Sequence, residues 1–178
     1  MNQRYDRLKA RQRAERETHS EGLALRVHRA LSWLNRAEQC DDGDGRFIFL
    51  WISFNAAYAQ QFSLEEQSPE RQKAEAFITK LVALDSGNRL YELLWSTFPG
   101  TLRVLLDNHY VFQPFWDAKG RGDDGLWKAA FAGANRAARS ALGRGDTATV
   151  LSVVLKRLYT LRNQLVHGGA TWNSQVNR

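Results

Sequence analysis

Residues 147–166 read TATVLSVVLKRLYTLRNQLV, with Gly143-Arg144-Gly145-Asp146 before them and Gly168-Gly169 after. A long run with helical spacing and no Gly or Pro, closed by a glycine pair, predicts an α-helix and no strand. Stepping at 100° per residue from Leu151 puts Leu155 at about +40°, Leu158 at about −20°, Leu165 at about −40° and Val154 at about −60°. That is one apolar stripe. Arg162 falls inside it, at about +20°, while Asn163 at about +120° and His167 at about +160° share the neighbouring face.

Working outward, nearly every other segment also reads as helix. Leu126 to Leu142 is an alanine-rich helix. Before it, Val111 to Gly125 holds Pro114 and three glycines and reads as irregular. Thr101 to Tyr110 is a further helical candidate, and Asn88 to Phe98 is a short helix stopped by Pro99-Gly100. Ser68-Pro69-Glu70 is a helix start, with Pro at the first position. That helix should run to Asp85 with Phe77, Leu81 and Leu84 inward. Phe47 to Phe62 carries two adjacent apolar stripes (Phe47, Trp51, Phe54, Tyr58 and Ile48, Ile52, Asn55, Ala59), which predicts a central core helix. The uncharged run from Phe47 to Leu64 is broken by Ser53, Asn55, Gln60, Gln61 and Ser63, so its apolar part falls short of the ~20 residues a membrane span needs. Ser20 is placed to cap a helix running to about Gln39. No hairpin signal and no repeat stands out. The expected fold is all-α: an up-and-down helical bundle over residues 20–178, with an irregular insertion near residues 99–125 and a basic N-terminal helical arm at residues 1–19.

The chain has 178 residues, 43% hydrophobic and 25% charged, a composition that folds and excludes disorder. Its one cysteine, Cys40, excludes an internal disulfide framework and suits a reducing cytosol. The charged start, without an apolar core, predicts no secretory leader and a cytoplasmic protein. The net charge is +6, unevenly spread. Residues 1–36 carry +5, residues 37–118 carry −6 and residues 119–178 carry +7. The basic ends either meet a polyanion, nucleic acid being the commonest, or answer the acidic middle of the chain itself.

Several motifs lose their meaning in context. Gly120-Arg121-Gly122-Asp123-Asp124-Gly125 has dinucleotide-loop spacing, but no strand precedes it and two aspartates stand where a pyrophosphate would lie. Asp41-Asp42-Gly43-Asp44-Gly45 lacks the ligand spacing and closing glutamate of a calcium loop, so it reads as a solvated turn. His19, His28, His109 and His167 have no zinc spacing. No metal and no cofactor is expected.

Arg162 is the residue out of place. A guanidinium is always charged and is rarely buried unpaired. It either meets an internal carboxylate, such as Glu92 or Asp107, snorkels to a helix edge, or faces a cleft that takes an anion. His167, in the last turn, sits where the helix dipole favours a cation and has the chemistry to take and give protons near neutrality. Asn163 and His167 are i,i+4 and meet side by side. Asn55 reads as a core amide needing hydrogen-bond partners, or as a group near the site, with Tyr58 beside it.

The run Leu161-Arg162-Asn163-Gln164-Leu165-Val166-His167-Gly168 resembles the R-N-x-x-x-H signature of HEPN domains. Phe54-Asn55-Ala56-Ala57-Tyr58 and Thr171-Trp172-Asn173-Ser174 resemble the Apea-like bacterial branch of that superfamily, and the likeness covers most of residues 20–178. It implies a helical bundle that pairs into a homodimer and acts as a metal-independent endoribonuclease, in a toxin–antitoxin, defence or RNA-processing setting. Arg162 would hold the scissile phosphate, His167 would be the general base or acid, and Asn163 would orient the histidine or the phosphate. Lys156 and Arg157 are the expected RNA contacts, with Asn55 and Tyr58 behind the site. Products would be 2′,3′-cyclic phosphate and 5′-hydroxyl ends. Expected partners are RNA, a second copy, and an antitoxin or regulator protein, with no membrane. The alternative is a non-catalytic HEPN-type module that binds RNA or protein.

Overall fold

The computed structural model describes residues 3–59, 70–123 and 125–174. Among these the chain is all-α, with no strand. It divides into two compact units, one holding residues 1–74 and 170–178 and the other residues 75–169.

In the first unit, α1 (Gln3–Glu15) packs on α2 (Glu21–Glu38), and α2 packs along α3 (Gly43–Tyr58). The expected arm is therefore a packed helix. The Tyr5 amide donates to Glu38 Oε2 at 3.4 Å and Gln12 is buried. Ser20 holds the N-cap position of α2 without a side-chain cap bond. The acidic turn before α3 is a cap: Asp42 accepts the Gly45 amide at 2.6 Å. A Cβ on Gly45 would stand 2.8 Å from that carboxylate, so a side chain there would make the Asp42 carboxylate shift. That amide bond, above all, holds the Asp42 carboxyl below its ordinary value, and the Trp172 side chain adds to it. One residue pair further on, Asp44 Oδ2 accepts the Asn173 amide at 2.6 Å.

The aromatic stripe of α3 forms as expected. Phe47, Trp51, Phe54 and Tyr58 run as successive ring contacts, with centroids 6.2, 5.9 and 5.2 Å apart. The helix is less enclosed than a central core helix: Trp51 alone among its described residues is buried, and Leu50 is 41% exposed. Ser53 Oγ fastens it to α2 by donating to the Ala30 carbonyl at 2.7 Å. α3 ends at Tyr58, and the expected continuation to Phe62 lies outside the described residues. So does the Ser68-Pro69 helix start, while α4 is described over Glu70–Leu84. Leu84, expected inward, is 78% exposed because α4 ends there. No helix among the described residues is long and apolar enough to cross a membrane.

In the second unit, α5 (Arg89–Glu92) widens into a π turn at Leu93–Thr97, where the Phe98 amide reaches the Leu93 carbonyl at 3.1 Å. There follow α6 (Pro99–Asp107), a 3-10 turn at His109–Val111, α7 (Gln113–Gly120), α8 (Leu126–Gly143) and α9 (Thr147–Val166). The irregular insertion expected near 99–125 is thus mostly helical. Pro99 and Pro114 stand in first turns, where the missing N–H would have no helical partner, so each starts a helix rather than breaking one. Leu94, Leu102, Ala141 and Val150 form the core, with Trp95 donating its indole N–H to the Leu142 carbonyl at 3.1 Å. Asp123 accepts the Gly125 and Leu126 amides and so starts α8, which is what the apparent dinucleotide loop does; Asp124 lies outside the described residues.

Candidate functional site

All of α9 lies in the second unit. Asp146 caps its start by accepting the Thr149 amide at 3.0 Å. Its end is set by Gly168, whose φ of +72° is open to glycine and strained for other residues. His167 stands at the C-cap, exposed, with its amide bonded to the Asn163 carbonyl at 2.9 Å.

Arg162 is half-buried and does not pair with either carboxylate considered for it. Asp107 instead takes Arg139 at 2.8 Å, and Glu92 accepts from Ser96. Arg162 Nη1 donates to Asn163 Oδ1 at 2.9 Å, and its guanidinium lies 5.8 Å from the Tyr159 ring centre. This bond has a geometric consequence. By rotation Arg162 and His167 are about 140° apart, but Asn163 is only about 40° from His167. Reaching to Asn163 therefore swings the guanidinium toward the flank that carries the imidazole.

The buried arginine of α9 is Arg157, which is 3% exposed. The expected RNA contact at this residue meets a side chain enclosed by protein. Its guanidinium lies 4.5 Å from the Phe112 ring centre and 5.1 Å from that of Phe131. Nη2 donates to Asn135 Oδ1 at 3.1 Å, Nη1 has no hydrogen-bond partner among the described residues, and burial pushes the group down to about 10. Asn135 Nδ2 turns toward Asp107, so an amide relays between the buried cation and the Asp107–Arg139 surface pair. Lys156 is exposed and pairs with Glu75 at 3.1 Å, a surface contact of the kind that exchanges readily for another anion.

Asn55 and Tyr58 belong to the first unit, and the Tyr58 hydroxyl donates to Asn55 Oδ1 at 2.8 Å. A tyrosine one turn on thus supplies the amide with a partner on its own helix.

The sequence reading missed the aromatic cluster that holds Arg157. His109, Tyr110, Phe112, Phe115, Trp116, Trp127 and Phe131 make a continuous set of ring contacts around the 3-10 turn, α7 and α8. Seven rings within 23 residues was the available signal. Gln164, buried, donates its Nε2 to the Tyr110 carbonyl at 2.5 Å, tying this cluster to α9 one residue from Asn163.

Among the described residues no group of His, Cys, Asp and Glu is placed to hold a metal ion. No protein-family model, curated protein or solved structure matches the chain.

Proposed function

We propose that the chain is a metal-independent endoribonuclease of HEPN type, working as a homodimer through Arg162, Asn163 and His167. One observation carries this reading. Among the described residues Arg162, half-buried in a stripe of half-buried leucines, is bonded to a neighbouring amide and to no carboxylate, and an exposed histidine stands five residues on at the helix end. A guanidinium has five donors in a fixed fork, and the amide uses one. The others match phosphate oxygens and the extra charge that builds on them in the transition state.

In the reaction, the ribose 2′-oxygen attacks phosphorus and loses its proton to the imidazole of one His167. The bond from phosphorus to the 5′-oxygen breaks, and that oxygen takes a proton from His167 of the partner subunit. A 2′,3′-cyclic phosphate and a 5′-hydroxyl result, and the two imidazoles end with their protons exchanged. A substrate without a 2′-hydroxyl cannot react, which restricts the activity to RNA. The cellular setting this reading fits is a toxin–antitoxin or defence system in the cytoplasm.

The test is cleavage of a defined RNA in EDTA, with end-group analysis. Cyclic phosphate ends that disappear in Arg162→Ala and His167→Ala support the reading. Salt-sensitive RNA binding with intact strands would select the non-catalytic module in its place.

A further inference from the structure

Tyr110 and Trp116 form an aromatic platform that α9 holds in place. The Tyr110 carbonyl accepts two hydrogen bonds, from Gln164 Nε2 and from the Trp116 indole N–H at 2.7 Å. One oxygen thus fixes both the turn that carries the Tyr110 ring and the orientation of Trp116. Tyr110 is 40% exposed, its ring backed by Phe115 edge-on at 5.6 Å and by His109 at 4.1 Å. Trp116 lies 6.4 Å from it, and the Lys119 ammonium stands 5.6 Å from the Trp116 ring centre. The nearby described carboxylates are engaged: Asp117 accepts from Gln113, and Asp123 caps α8. Gln164 precedes His167 by three residues, so the two are neighbours on the helix surface.

An exposed tyrosine and a half-buried tryptophan, backed by other rings and beside an exposed lysine, are what successive bases and their phosphates need in single-stranded nucleic acid. We propose that Tyr110 and Trp116 stack the bases of single-stranded RNA flanking the cleaved bond, with Lys119 on a phosphate. This rests on the reading of the chain as an RNA-cleaving protein, and it adds to that reading a binding surface on the 3-10 turn and α7, outside Arg162, Asn163 and His167.

The experiment separates binding from cleavage. Full-length protein is titrated by fluorescence anisotropy against a labelled 2′-O-methyl U12 strand, which cannot be cut, and against a 2′-O-methyl duplex of the same length. Cleavage of unmodified U12 is followed in parallel. Tyr110→Ala should weaken single-strand binding about 5- to 100-fold, while Tyr110→Phe, which keeps the ring, should bind like the unaltered protein. Lys119→Ala should lower the dependence of log K on log salt by about 0.7. Circular dichroism melting of each variant separates lost binding from lost folding. Equal binding by Tyr110→Ala and the unaltered protein, or preference for the duplex, overturns the platform even if cleavage is intact. Tyr110-dependent binding with no cleavage by the unaltered protein overturns the nuclease reading and leaves the platform standing. Neither binding nor cleavage overturns both.

Discussion

Two arginines on α9, five residues apart, meet opposite surroundings. Arg157 is enclosed, packed against two adjacent phenylalanine rings, with one amide acceptor. Arg162 is half-buried and turned toward an amide beside an exposed imidazole. Neither has a carboxylate among the described residues. The difference teaches what makes a cation structural or available. Ring faces and an amide hold Arg157 inside, at a desolvation cost visible in its lowered basicity. Arg162 keeps unused donors near water, and that is the condition for meeting an anion.

The sharpest way to break this contrast is to remove each cation in turn. Arg162→Ala should reduce RNA cleavage by at least about 100-fold, the scale of losing one oxyanion donor, with little change in melting temperature. Arg157→Ala should instead unfold more easily. It leaves a void under two rings, and large-to-small changes in a core cost about 2–5 kcal/mol. Arg157→Met fills the same space without charge, so thermal melting should be unchanged or improved. A stable Arg157→Ala protein, or an Arg157→Met protein as weak as the alanine variant, would break the contrast.

A smaller effect sharpens the helix end. Gly168→Ala meets no neighbouring atom, so only its left-handed backbone matters, at about 1–2 kcal/mol. Melting should fall modestly, and cleavage should fall further than melting if the C-cap aims His167. The smallest effect is on acid stability. Asp42, Asp123 and Asp146 cap helices and are held below the ordinary carboxyl range, the first two mainly by backbone amides and the third mainly by the Thr149 hydroxyl. A carboxyl lowered in the fold stabilises it above its unfolded value near 4, and that contribution is lost as pH falls through the lowered value. Asp146→Asn, which keeps a capping oxygen, should flatten the acid limb of a melting-temperature profile.

The helices were legible because their signals are local. Gly168 and the Gly143–Asp146 turn bracket α9, and the α3 rings follow helical spacing. Pro114 misled because proline punctuates helices at both ends, and only the following α7 shows which end it marks. The inward face of α9 was hidden for a different reason. Val150, Arg157 and Gln164 repeat every seven residues and are all buried, with Thr160 beside them. Three of these four are polar, so an apolar count points to Leu151 and Leu158, which are only half-buried. Rotation alone put Arg162 among leucines that are only half-buried, and its bond to Asn163 depends on a side-chain torsion that rotation does not give. Arg157 could not be told from a surface cation, because the rings that enclose it come from residues 112 and 131.

The bond from the Asn173 amide to Asp44 joins points 129 residues apart in the chain. The unit it closes is discontinuous, while the unit of residues 75–169 is a single run. During synthesis, at about 5–20 residues per second, roughly 6–26 s separate the emergence of the two partners. The continuous run, with α9 and its arginines, leaves the ribosome within that interval, before the earlier-started unit has its last piece.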